Sequence, residues 1–199
     1  NRWFLDPVFK GEYPEDTLLY FKDRYEAPTF EPADEGLLKG SNIDFLGVNY
    51  YFPQRVTAPD RSDRLFDIHR TQDHSRTEMG WEIYPEGLYG FLMRLQREFT
   101  GELPIYVTEN GMAGADPGDA GLVNDPARIA YFDAHVGAVK QAIADGAPVK
   151  GYFAWSLLDN YEWAFGYDKR FGIVHVDYET QKRTPKGSYL AFQAALARG

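Results

Sequence analysis

Pro104-Ile105-Tyr106-Val107-Thr108-Glu109-Asn110-Gly111 is the stretch on which the reading of this chain turns. A short β-branched and aromatic run climbs to a carboxylate, and a glycine then lets the backbone turn away. In parallel α/β proteins the C-terminal end of a strand is where side chains meet substrate. Glu109 therefore stands where a catalytic group would stand, although the octapeptide alone also fits a surface glutamate at a strand end.

Two further segments resemble this one. Ile43 to Tyr51 reads as a buried strand bounded by Gly40-Ser41-Asn42 and Pro53, and Val149 to Ser156 as another. Between them lie two helical patterns. Pro85 to Phe99 puts Leu88, Phe91, Leu92, Leu95 and Phe99 on one face, and Gly101 stops it. Asp125-Pro126 supplies an N-cap and a first-turn proline for a helix carried by Ile129, Phe132, Val136, Val139 and Ile143, and Gly146 closes it.

A short helix is expected from Pro14 to about Arg24, and a last one begins at Thr184-Pro185 with Tyr189, Phe192 and Leu196 inward. Asn1 to Tyr13 has no clean period and reads as packed loop, and Pro28 and Pro32 interrupt regularity after it. Phe52 to Tyr84 is a long polar loop, a length usually tied to function. A Gly, Ala and Asp-rich loop runs from Gly111 to Gly121, an aromatic loop from Asn160 to Phe171, and Gly172 to Val176 forms a short extra strand.

Alternating helices and strands at this spacing predict parallel βαβ units. Each strand ends in polar or aromatic residues: Asn49 and Tyr51, Glu109 and Asn110, Trp155 and Ser156. Such shared polarity marks a barrel whose working face is its C-terminal rim. Three or four strands close no eight-stranded barrel, so the expected fold is α/β, about three βα units of a (β/α)8 barrel.

The totals narrow the function. The 199 residues are 44% hydrophobic, 16% aromatic and without cysteine, with a formal charge of −9. The charge argues against nucleic acid or an anionic membrane as partner. No apolar run is long enough to span a bilayer, and the chain opens on Asn1 with no signal-like segment. The expectation is a cytoplasmic protein. Aromatics with polar tips suit ligands that are apolar on one face and hydrogen-bonding on the other, as sugars are. His69, His74, His135 and His175 show no ligand spacing, so neither metal nor cofactor is expected.

Tyr106-Val-Thr-Glu-Asn-Gly111, Trp155-Ser-Leu-Leu-Asp-Asn-Tyr-Glu-Trp163 and Arg170-Phe-Gly-Ile-Val174 together resemble the C-terminal part of family 1 glycoside hydrolases. Most members are β-glucosidases and related retaining β-glycosidases on a (β/α)8 barrel. The resemblance runs from Trp3-Phe-Leu-Asp-Pro7 to Thr184-Pro-Lys-Gly187, so residues 1–199 are expected to be one fragment of a single barrel domain whose N-terminal part is absent.

The resemblance implies roles. Glu109 matches the nucleophile, Tyr51 the hydroxyl that hydrogen-bonds it, and Asn49 a residue beside sugar and nucleophile. Glu162 matches the grip on the hydroxyls at the far end of the glycone, beside Trp163. Trp155 matches the platform under the ring, Phe171 a wall, and Trp81 the aromatic at the aglycone entrance. Relatives acting on 6-phosphorylated glycosides carry Ser where this chain has Glu162, and a carboxylate there repels phosphate. The expected substrate is thus an unphosphorylated β-glucoside or short β-linked oligosaccharide, with galactose and fucose as side activities.

One element of the family is missing. The general acid/base lies in a Thr-x-Asn-Glu-Pro motif that this chain lacks. Thr29-Phe30-Glu31-Pro32 resembles it without the Asn and stands in the wrong place, so Glu31 is rejected. The Gln and His-Trp of the family's sugar pocket are also absent. General acid catalysis is worth typically about 10²–10⁴-fold, and the chain alone is expected to be inactive, its complement coming from the N-terminal half of the barrel. The competing reading is a non-catalytic remnant that binds sugar, or only packs, through Trp155, Glu162 and Trp163.

Overall fold

A computed structural model describes residues 1–26, 28–39, 42–60, 64–115 and 123–197. Gly40 and Ser41 at the expected strand boundary, and 116–121 of the Gly, Ala and Asp-rich loop, lie outside the described residues.

The chain runs through α1 (Arg2–Lys10), α2 (Glu15–Arg24), α3 (Pro32–Lys39), β1 (Leu46–Asn49), β2 (Val56–Thr57), β3 (Asp67–Ile68) and α4 (Pro85–Leu95). A π-helical turn, Gln96–Thr100, extends α4. There follow β4 (Ile105–Asn110), α5 (Pro126–Ala144), β5 (Val149–Ala154), a 3-10 turn at Trp163–Phe165, β6 (Val174–Val176), β7 (Arg183–Pro185) and α6 (Gly187–Ala197).

The centre is a three-stranded parallel sheet in the order β1-β4-β5, with β6 and β7 paired antiparallel outside it. Alternation along β4 decides what each face does. Ile105 and Val107 turn to a buried side, while Thr108 is exposed. Helices α4 and α5 cover the buried side. Leu88, Leu92 and Leu95 recur at one face of α4 and join Val139 and Ala142 of α5 against Val48, Ile105, Val107 and Val149. Met112, Tyr131, Phe132, Ile173 and Val174 form a second cluster under the rim loops. The opposite sheet face is open: Phe45 and Phe153 are 54% and 56% exposed, and no closed barrel exists among the described residues.

Several expectations are corrected. Residues 2–10 form a helix although Pro7 lies inside it. Tertiary contacts outweigh the lost N–H, since Trp3 packs on Tyr13 and Phe21 at 4.7 and 4.8 Å, and within the helix Asp6 pairs with Lys10 at 3.0 Å. Pro32 starts α3 rather than breaking structure, with the Asp34 carboxylate accepting the Glu31 N–H at 2.9 Å. The segment from Phe52 to Tyr84 is not wholly irregular, since β2 and β3 pair as a small hairpin. Ile143 and Leu196, placed inward, are 47% and 69% exposed. Asp125 occupies the N-cap position of α5 without capping it. Its carboxylate instead accepts the Ser188 amide and hydroxyl at 2.8 and 2.6 Å and pairs with Arg128.

No helix among the described residues is long and apolar enough to cross a membrane.

Candidate active site

The rim at the C-terminal ends of β1, β4 and β5 collects most of the singled-out side chains. Val48 pairs with Val107, and a register shift between Val48 and Asn49 then brings Asn49 opposite Glu109 rather than Thr108. The Tyr50 amide then donates to the Glu109 carbonyl at 2.9 Å. Tyr50 points back to the covered side, where its hydroxyl reaches the Tyr84 carbonyl at 2.7 Å. Its neighbour Tyr51 points to the rim, and its hydroxyl donates to Glu109 Oε2 at 2.6 Å. Burial, then the bond to the carboxylate, pushes the Tyr51 phenol far up, so it stays a proton donor.

Glu162 is 8% exposed on the loop after β5. Burial first, and the Glu109 charge second, push its carboxyl up. Two carboxylates thus share one electrostatic neighbourhood. Aromatic rings gather around Tyr51, the partner of Glu109. Trp81 lies 5.3 Å from the Tyr51 ring and 5.9 Å from that of Phe171, and it stacks on Phe52 at 5.0 Å. Phe171 is fully buried and meets Tyr51 edge-on at 6.2 Å.

Trp81 is held by its neighbour. Glu82, buried, takes a forked bond from Arg55 (2.7 and 3.2 Å) and another from Thr71 at 3.1 Å. Arg55 also lies over the Tyr84 ring at 4.6 Å. The Arg55 bonds hold the Glu82 carboxyl below its ordinary range.

The remaining candidates are placed by backbone. The Trp155 amide donates to the Asn110 carbonyl at 2.8 Å, and the Trp155–Ser156 peptide is cis. Gly111 is required here by close approach: a Cβ would lie 1.7 Å from the Trp155 carbonyl oxygen. Asn49 is exposed beside Glu109 and accepts from the Thr108 hydroxyl at 2.7 Å. Trp163 is 81% exposed, and among the described residues its ring stacks on none of Trp81, Tyr51 and Phe171.

Asn110 and Ser156, read as strand-end chemistry, are absorbed by the scaffold. Asn110 is fully buried, donates to the Tyr50 carbonyl and Tyr131 hydroxyl at 2.7 and 2.9 Å, and accepts from Tyr152 at 2.5 Å. Ser156 donates to the Leu158 carbonyl at 2.7 Å. Glu31, rejected above, lies just before α3. Among the described residues, five buried charged residues escaped the sequence reading: Asp6, Glu82, Arg128, Asp159 and Lys186. Asp159 lies within the quoted Trp155–Trp163 motif, but nothing in its neighbours announces burial. No cluster of three His, Asp or Glu fit to hold a metal occurs among the described residues.

A carboxylate held by a phenol, a second carboxylate nearby and an aromatic wall suit a polyhydroxylated ring with apolar C–H faces. Comparison with known proteins agrees in kind. The chain is 46% identical, over 93% of its length and 41% of the other's, to a 1,4-beta-D-glucan glucohydrolase of Thermotoga neapolitana. It superposes with a TM-score of 0.92 on the crystal structure of a GH1 beta-glucosidase from Exiguobacterium antarcticum, at 40% identity, covering 100% of this chain and 44% of that one. A 6-phospho-beta-galactosidase of Streptococcus equi is 37% identical over 99% of this chain and 47% of its own. The chain thus spans less than half the length of these relatives. The model of the family described as "Glycosyl hydrolase family 1" matches residues 1–198, and the chain belongs to that family.

Proposed function

We propose that this chain is the C-terminal part of a single barrel domain, and that it carries the nucleophile of a retaining β-glycosidase acting on unphosphorylated β-glucosides. The observation that supports the reading best is the Tyr51–Glu109 bond at the end of β4, with Glu162 close enough to feel the Glu109 charge. Tyr51 occupies Oε2 and leaves Oε1 for attack on the anomeric carbon. As that bond forms, the bond from the anomeric carbon to the aglycone oxygen breaks, and its electron pair leaves with the oxygen. The proton that neutralises the leaving oxygen comes from an acid on the N-terminal part of the barrel, about 5–5.5 Å from Glu109 across the bond. Water then cleaves the glycosyl ester while the same group takes its proton, which frees sugar and carboxylate.

Glu162 accepts hydroxyls at the far end of the glycone, and Trp155, Phe171 and Trp81 line ring and entrance. Asn49 stands beside the nucleophile, and Trp163 is the neighbour of the grip. A phosphate at that end would meet the Glu162 carboxylate, which sets this reading apart from the streptococcal relative's name. An aryl 6-phospho-β-glucoside should therefore be turned over far more slowly than its unphosphorylated counterpart.

The decisive experiment is intact-mass analysis of the assembled protein after an activated 2-fluoro β-glucoside. One glycosyl unit should add to the peptide containing Glu109, and Glu109→Gln should lower kcat on an aryl β-glucoside by about 10⁴-fold or more. Sugar binding without labelling, in every preparation, would instead establish the non-catalytic reading.

A further inference from the structure

The loop that carries Glu162 and Phe171 is fastened by a carboxylate with no role in the chemistry above. Asp159 is buried among two cations and two backbone amides. Its Oδ1 accepts from Lys186 Nζ at 3.0 Å and the Gly172 amide at 2.9 Å. Its Oδ2 accepts from Arg170 Nη1 at 2.8 Å and the Val176 amide at 3.2 Å. His175 Nδ1 is 3.6 Å away. Each oxygen thus holds one cation and one amide. The backbone packs so closely that a Cβ on Gly172 would sit 2.1 Å from the Asp159 nitrogen.

The contacts continue into a closed circuit. The Arg170 carbonyl accepts from Arg128 Nη2 at 2.9 Å and from the Gly114 amide at 3.2 Å, on the loop that follows Glu109. Arg128 pairs with Asp125, Asp125 holds Ser188, and Ser188 lies two residues beyond Lys186, which returns to Asp159. The nucleophile's loop and the Glu162 loop are therefore joined through one buried ring. Buried ion pairs add little net stability over apolar residues of equal volume. They do impose a single geometry, because every oxygen and N–H must meet its partner.

We propose that Asp159 is a positioning residue of the sugar site, which sets where Glu162 and Phe171 stand relative to Glu109. This rests on the roles of Glu109 and Glu162 proposed above. Asp159→Asn in the complete enzyme keeps the shape but turns an NH2 toward one of the two donor pairs. The substrates are an aryl β-glucoside and the aryl β-xyloside, the same ring without the hydroxymethyl group at the gripped end. Rates are normalised to sites labelled by the 2-fluoro glucoside, so unfolded protein does not count.

The glucoside kcat/KM should fall about tenfold more than the xyloside value, chiefly through KM. Glu162→Gln should narrow the same ratio, and the double variant should add little to either single one. Equal losses on both substrates, or additive ones, would overturn the proposal. If Asp159→Asn yields no folded protein, Arg170→Lys, which keeps the charge but not the planar group whose Nη1 meets both Asp159 Oδ2 and the Val176 carbonyl, is judged by the same ratio. Failure to label the unaltered enzyme would refute the Glu109 reading. Normal labelling with an unchanged ratio would refute only the role of Asp159.

Discussion

The two faces of the central sheet are built from the same three strands and behave as different materials. On the covered face Val48, Ile105, Val107 and Val149 pack under Leu88, Leu92 and Leu95, with almost nothing accessible. On the other, Phe45 and Phe153 stand largely in the open, and Asn49 and Thr108 bond each other beside Glu109. Period-two alternation separates the residues packed under the helices from those left open on the other side of the sheet. Stability is concentrated on one side, and the proposed sugar site borders the other.

The contrast breaks most visibly through the covered face. Leu92→Ala removes a fully buried side chain between α4 and the sheet and should cost about 2–5 kcal/mol in urea unfolding. A loss under ~1 kcal/mol would mean that this layer is not the core.

Acid tests the same layer next. His135 of α5 is fully buried, stacks on Tyr131 at 3.9 Å and donates Nδ1–H to the Tyr131 carbonyl at 2.8 Å. Its Nε2 is buried without a hydrogen-bond partner among the described residues. Burial lowers its pKa from 6.5 to about 4. The unfolded chain therefore takes the proton first as pH falls. The stability contributed by neutral His135 is complete above about 6.5 and lost progressively toward about 4, some ~3 kcal/mol in all. His135→Phe should flatten that slope in unfolding measured across this window. An unchanged slope would place its origin elsewhere.

The smallest effect belongs to the open face. Phe153→Ala in this chain should change stability by no more than ~0.5 kcal/mol, because the ring is already largely in solvent. A loss like that of Leu92→Ala would show the face to be covered in solution.

The legible parts of the fold were those with a strong local period. The α4 stripe of Leu88, Leu92 and Leu95, the β4 run and the prolines opening α4 and α5 are set by spacing that survives any environment. Helix α1 was illegible because aromatic contacts with Tyr13 and Phe21 stabilise it against Pro7, and no window of nine residues contains those partners. At the site, Tyr51 and Glu109 were singled out through motifs 58 positions apart, and the structure adds their bond. Arg128, Asp159 and Lys186 went unnoticed because a charged residue reads as solvated until its partners are known. Asp159 and Lys186 lie 27 positions apart, and Arg128, though paired with nearby Asp125, is buried by reaching the Arg170 carbonyl 42 positions away.

The Arg55–Glu82 fork has a consequence for how this framework tolerates change. It ties the two ends of the segment between β1 and α4 together, next to Trp81 and at the foot of the β2–β3 hairpin, where the His69 amide donates to the Arg55 carbonyl at 2.9 Å. Substitutions on the two strands should be absorbed before they reach the far side of the fork, since Glu82 is held by Arg55 and Thr71 rather than by the strands themselves. The strands Val56–Thr57 and Asp67–Ile68 are therefore a natural place for substitution or grafting, a variable surface beside an aromatic wall of Trp81, Tyr51 and Phe171 that stays put.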